Sequence, residues 1–314
     1  MITQKGTIMK EYTIRSGRTE AVILSYGAMI KTFSVDGRNC VLTLEEYDTV
    51  EKTNGFFSQV VGPFANRIRN ASFVMDGVRY DVERNRGAHS IHSGARNFGK
   101  HEWSLESQSE DSVTLTLHSP ESSGFPGNID VSLKYTVTED GNLELLYTMT
   151  SDKKTPVNVT NHVYFTLEET DSRNVKIMIP ADSYVDTDSE GIPKGIVSVD
   201  GTDFDLRKPI RTGDKRDGYF DHCFMLNENS TIVAESTSMT LTCTTDLPGV
   251  QFYTASSMHR TEKSPDGRTL GPFSGFALET EFCPDFPNCP DLKGKYLLPG
   301  EVWQTKTTYN LKLK

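Results

Sequence analysis

An acidic side chain inside an apolar run is the strongest chemical signal in this sequence. Glu279 stands in Gly275-Phe276-Ala277-Leu278-Glu279-Thr280-Glu281-Phe282. A carboxyl facing inward from such a run must be paired, hydrogen-bonded or functional, because desolvating it without compensation is costly; facing solvent, it would carry no message. His162 is the second signal. It falls in Val157-Asn158-Val159-Thr160-Asn161-His162-Val163-Tyr164-Phe165, which alternates and is read as a strand with compact polar members. An imidazole there titrates near neutrality and could give or take a proton, although a satisfied core histidine accounts for it equally well.

Five further residues, in four segments, offer hydrogen bonds beside apolar neighbours. Asn66-Arg67 lies in Gly62-Pro63-Phe64-Ala65-Asn66-Arg67-Ile68. The planar fork of an arginine suits two adjacent hydroxyls, though an arginine among apolar residues commonly snorkels to the surface. His92, in His89-Ser90-Ile91-His92-Ser93-Gly94, is a loop brace or a polar ligand, and Asp221, between Phe220 and His222, is a turn residue or a ligand. Gln251 sets an amide beside the aromatics of Pro248-Gly249-Val250-Gln251-Phe252-Tyr253-Thr254. Aromatic faces flanked by amides suit a pyranose, which has C–H faces and a rim of hydroxyls.

Other chemistries find little support. Gly94-Ala95-Arg96-Asn97-Phe98-Gly99-Lys100 has the outline of a phosphate loop, but His101 replaces the metal-binding hydroxyl and Trp103-Ser104-Leu105 leads toward strand rather than helix. There is no G-x-S-x-G elbow and no H-E-x-x-H pair. Nothing local calls for a metal, and one built from distant residues stays open at this point. Cys40, Cys223, Cys243, Cys283 and Cys289 are odd in number and lack C-x-x-C spacing, so they read as reduced thiols of a cytoplasmic protein. The N-terminal residues are polar, without the apolar core of a signal peptide. The net charge of −10 opposes polyanions, and the basic residues are scattered, so neither nucleic acid nor a membrane surface is an expected partner.

The elements that must position these residues are strands. From Ile129 every second residue is apolar; the pattern turns at Asp140-Gly141-Asn142 and resumes with Leu143, Leu145, Tyr147 and Met149 on one face. Asp36-Gly37, returning through Cys40-Val41-Leu42, and Asp76-Gly77 mark two more hairpins. Further strands are expected at 21–24, 112–117, 175–179, 239–243, 251–254, 276–281 and 305–313, with a short helix at 44–52. No repeat or linker divides the 314 residues. The expected fold is all-β, one large antiparallel β-sandwich domain over residues 1–314.

The polar segments together resemble the aldose 1-epimerase (galactose mutarotase) family. Ala65-Asn66-Arg67-Ile68, Ile91-His92-Ser93-Gly94, the 156–165 segment, Phe220-Asp221-His222, the 248–254 segment and Leu278-Glu279-Thr280-Glu281 occur in the family's order, and Leu298-Pro299-Gly300-Glu301 continues the similarity. The resemblance implies a galactose mutarotase-like sandwich with an open carbohydrate cleft and no cofactor, acting on a small aldose. It implies Glu279 as general base and His162 as general acid, with Asn66, Arg67, His92, Tyr164, Asp221 and Gln251 holding the sugar. Three departures bear on specificity: Pro63-Phe64 is less polar than the family's usual wording, Glu281 stands for a common glutamine, and Cys289 for a frequent histidine. For His162 to be charged at neutral pH, Asp221 or Glu279 should hold its pKa up. A hexose-phosphate epimerase would need basic residues gathered at the cleft mouth, which the motifs do not supply; a glycosidase using Glu279 and Asp221, or a binding module without catalysis, are the other readings. Monomer and homodimer both stay open.

Overall fold

Period-two alternation becomes alternating burial wherever two long strands pair. Ile129–Val137 and Asn142–Ser151 bury every second side chain and pair antiparallel with Val137 opposite Leu143. Their turn needs Gly141, whose φ is 91° and whose Cβ position would lie 2.4 Å from the carbonyl oxygen of Leu311. Asp36-Gly37 and Asp76-Gly77 both have positive φ throughout, as two-residue hairpin turns require. The computed structural model describes residues 9–47, 50, 56–122, 124–260 and 262–314.

These hairpins build an antiparallel β-sandwich, as expected. One sheet has nine strands, in the order Ser104–Gln108, Ser112–Ser119, Ile129–Val137, Asn142–Ser151, Trp303–Leu313, Met239–Thr245, Ile232–Glu235, Lys176–Met178 and Ile210–Arg211. The second has six: Tyr164–Phe165, Phe276–Glu281, Gly249–Tyr253, Asp221–Leu226, Ala181–Thr187 and Pro193–Ser198. A four-stranded sheet, Glu11–Ser16 to Arg38–Asn39, uses the first part of the chain. One apolar cluster joins all three, running from Tyr12 through Leu133 and Phe252 to Leu311. Between the two larger sheets, the Tyr309 hydroxyl donates to the Leu278 carbonyl at 3.0 Å and the hydroxyls of Thr280 and Thr307 meet at 2.7 Å.

Three expectations need correction. The 157–165 run is not one strand but falls within three short ones: Thr155–Val157 pairs with Lys295–Leu297, Thr160–Asn161 with Val60–Val61, and Tyr164–Phe165 with Phe276–Glu281. Every residue from 155 to 165 is buried. With no face left for solvent, alternation here marks changes of partner instead of one half-exposed strand. The Asp36-Gly37 hairpin returns only as Arg38–Asn39, and Val41 makes a lone bridge to Phe165. The 44–52 helix lies partly outside the described residues, and 44–47 are not helical. Among the described residues no helix is long and apolar enough to cross a membrane, and the five cysteines are unpaired.

The glycine-rich 94–100 segment forms two short 3-10 turns and no phosphate cradle. Its Arg96, 2 % exposed, instead donates to the carbonyls of Ser119, Phe125 and Gly127 at 2.7–3.0 Å. Burial draws its pKa down to about 10. The contact ties the loop that carries His92 to the end of Ser112–Ser119 and the connection that follows it, and Asn97 Nδ2 donates to the His92 carbonyl at 2.7 Å. Arg96→Met would strand three buried acceptors, so we expect a loss of about 3 kcal/mol or more. Urea denaturation should show a lower midpoint at unchanged slope; an unchanged midpoint would mean the carbonyls find water.

Candidate active site

The six-stranded sheet has two faces with different duties. Phe224, Val250, Phe252, Phe276 and Leu278 point into the core. The alternate positions form rows across the opposite face: Glu279 pairs with Gln251 and Gln251 with Cys223, while in the next row Tyr164, Ala277, Tyr253 and Asp221 follow one another. Period two thus delivers Glu279, Gln251, Tyr164, Tyr253 and Asp221, from four neighbouring strands, to one surface. A cleft of about 720 Å³ opens over it, lined by Asn66, Arg67, His92, His162, Tyr164, Asp221, Gln251 and Glu279. The structure brings together all eight residues singled out from the sequence.

His162 Nε2 lies 3.5 Å from Glu279 Oε1, both side chains buried. Around them, Phe56 packs against His92 at 4.4 Å between ring centroids, and Tyr164 lies 5.0 Å from His162. Asp221 accepts from Gln251 Nε2 at 2.6 Å and lies 3.7 Å from Arg67 Nη2. That leaves Gln251 Oε1 and Arg67 Nε buried without a partner among the described residues, groups a hydroxylated ligand can satisfy. Arg67 lies against Gly191, whose φ is 77° and where a Cβ would come within 2.6 Å of the guanidinium carbon.

Asn66 is the hub of the polar wall. Its φ is 63°, a left-handed conformation asparagine tolerates better than most residues. Its amide oxygen accepts from Arg67 N at 2.9 Å and Arg67 Nη1 at 3.3 Å, and its Nδ2 donates to Glu281 Oε1 at 3.2 Å. Its backbone N–H donates to His92 Nδ1 at 3.1 Å. That bond fixes the His92 tautomer: Nδ1 is an acceptor, so Nε2 carries the proton. The donor atoms of His92, His162 and Glu279 lie within 4.8 Å of one another. A protonated Nε2 is a hydrogen-bond donor, however, so the set suits hydroxyl oxygens better than a cation.

Burial dominates the electrostatics. It lowers His162 to about 4, and the opposing pull of Asp221 does not compensate. Burial also raises Glu279 well above the usual carboxylate range; an ionised Glu281 would push it further, the Asp221 carboxylate adds to the shift, and Arg67 opposes it. The expectation that nearby carboxylates keep His162 charged is therefore corrected: desolvation outweighs them. The pair at rest is a neutral imidazole beside a protonated carboxyl, holding one proton between them.

Sequence reasoning gave no site role to Phe56, Gly191 or Tyr253, and took Glu281 only as a departure bearing on specificity. Tyr253 and Glu281 were within reach, since each lies two residues from a predicted site residue and so shares its face. Gly191 and Phe56 carry no local signal. Arg86 and Lys100 join the rim with Glu83 and Glu262, a mixture of signs unlike the one-signed cradle a phosphate would need.

The tautomer can be tested by nitrogen NMR. Burial, with His162 and Arg67 nearby, holds His92 well below the ordinary imidazole value. Labelled protein should show His92 Nδ1 unprotonated and Nε2 protonated from pH 6 to 8; an imidazolium pattern at pH 7 would contradict the arrangement.

Comparison with known proteins identifies the family. The family model described as aldose 1-epimerase matches residues 10–310. Galactose mutarotase of Rattus norvegicus is 34% identical, over 97% of this chain and 94% of its own. Aldose 1-epimerase of Escherichia coli K12 is 33% identical, over 91% and 90%. In structure, the aldose epimerase homologue of C. elegans shares the fold with a TM-score of 0.92 at 24% identity, covering 98% of this chain and 99% of the other. From the first sheet to the last strand, the chain belongs to the aldose 1-epimerase family.

Proposed function

We propose that this protein is an aldose 1-epimerase that interconverts the α and β anomers of a free hexose such as galactose or glucose, with the whole chain acting as one domain. The observation that carries the reading is the His162–Glu279 contact of 3.5 Å, in a cleft that also presents the polar side chains of Asn66, Arg67, His92, Asp221 and Gln251.

Mutarotation opens the ring, turns the C1–C2 bond and closes the ring on the other carbonyl face. Opening takes the proton from the C1 hydroxyl and delivers one to the ring oxygen. Glu279 as carboxylate accepts the first, and His162 as imidazolium supplies the second; closure returns both. This reactive form has the same single proton as the resting pair, moved from oxygen to nitrogen, so it forms without exchange with solvent. Hydroxyl donors of the bound sugar favour the carboxylate. Arg67 and the Nε2–H of His92 orient hydroxyls and stabilise charge on the open-chain oxygen, while Phe56, Tyr164 and Tyr253 meet the C–H faces. Electrons and phosphate play no part in this scheme.

Two measurements test the reading. Glu279→Gln and His162→Asn should each slow anomerisation of a freshly dissolved single anomer by about 10²–10⁴-fold, followed by polarimetry; a wild-type rate in Glu279→Gln would remove it as the base. Since kcat/KM reports groups of the free enzyme, its acid limb should fall where His162 gains a second proton for the pair, near pH 4. A limb near 6.5, the ordinary histidine value, would contradict the buried, uncharged imidazole.

A further inference from the structure

Glu281 is a buried carboxyl on the catalytic face that the proton-transfer scheme does not use. It is 0 % exposed at the end of Phe276–Glu281, on the same face as Glu279. Its Oε1 accepts from Asn66 Nδ2 at 3.2 Å, and Asn158 Nδ2 lies 3.5 Å from Oε2. Asn158 is itself locked: its Oδ1 accepts from Phe282 N at 2.8 Å, and its backbone N–H donates to the Pro63 carbonyl at 2.7 Å. Glu281 thus closes a chain of contacts from the sheet to the 63–67 loop.

The groups facing it offer no counter-charge. Glu279 comes from its own strand and Cys283 follows just beyond. Asp221 and Cys223 come from Asp221–Leu226. From the loop, Asn66 supplies an amide, and the cation beyond it, Arg67, is engaged with Asp221 and Asn66 Oδ1. Among the described residues no cation reaches ion-pair distance of Glu281. An ionised Glu281 would be a buried, unpaired charge next to the acid that must ionise in the reaction.

We propose that Glu281 is a positioning residue that works as a neutral, protonated carboxyl, holding the Asn66 amide so that Arg67 and His92 face the sugar, without setting a second negative charge beside Glu279. The inference rests on Glu279 and His162 being the proton-transferring pair. Burial holds the Glu281 pKa up at about 8, which agrees with this state at neutral pH. Asn66 needs an acceptor for its Nδ2 so that its Oδ1 stays on Arg67; the carbonyl oxygen of a neutral acid supplies one, more weakly than a carboxylate would, and burial outweighs that difference.

Two substitutions test this. Glu281→Ala removes the acceptor and should lower kcat/KM on the order of 10²-fold, mainly through KM, as the sugar-holding groups shift. Glu281→Gln, neutral and nearly isosteric, should recover most of that loss at pH 7. If Glu281→Gln is as impaired as Glu281→Ala, negative charge is needed and the proposal fails. The second readout needs no activity. Folded Glu281 keeps a proton that the unfolded chain releases, between its ordinary 4.5 and about 8, so wild-type stability should fall with rising pH across that window relative to Glu281→Gln, then level off. A pH-independent stability difference between the two would mean that Glu281 is ionised throughout and would overturn the proposal. If Glu279→Gln kept full rate while this stability trend appeared, the catalytic pair would be wrong and the protonation state of Glu281 right.

Discussion

Desolvation of an acid and an imidazole against each other is the interaction on which the site depends. Taken out of water, neither group holds its charge readily, so His162 moves down and Glu279 moves up until the two share a single proton. A ring-opening reaction needs that pairing: one group able to receive a proton, its partner able to give one, and no net change over the cycle. The large hydrophobic investment behind the sheet has this local consequence. Phe252, Phe276 and Leu278 seal the core side of the strands that carry Gln251 and Glu279, and so keep water from the back of the cleft.

Antiparallel pairing supplies the geometry. Residues far apart in sequence become lateral neighbours because register is fixed by the inward-facing apolar set: a one-residue slip of Phe276–Glu281 would turn Glu279 into the core and Leu278 into the cleft. The loops contribute what strands cannot. Asn66 and His92 both have positive φ, and their backbone and ring nitrogens meet to fix a tautomer. The Arg96 contacts hold that loop against the larger sheet, so the polar wall and the catalytic floor belong to one packed body.

Much of this was legible in the sequence. The strand at 276–281 was recognised without the direction in which Glu279 faces, all six of its residues being buried; alternation at 129–149 identified strands and their inner face, since period two translates directly into burial when one side of a sheet meets solvent. It failed at 157–165, where both faces are covered and alternation no longer distinguishes one strand from several. The site residues were recognisable as ionisable groups in apolar surroundings and as segments resembling a family. Their electrostatics were not legible: His162 looked like a histidine supported by carboxylates, and only its burial shows that desolvation prevails. Glu281 looked like a departure in wording, whereas its position on the Glu279 face makes it part of the wall that holds Asn66.

The most direct test of the account is a crystal structure of the Glu279→Gln protein with a hexose bound. The pyranose should lie with its ring oxygen toward His162 Nε2 and its C1 hydroxyl toward the side chain at position 279, the remaining hydroxyls meeting Arg67, His92 and Gln251. A sugar whose C1–ring-oxygen edge points away from this pair, with some other edge between them, would contradict the proposed proton exchange.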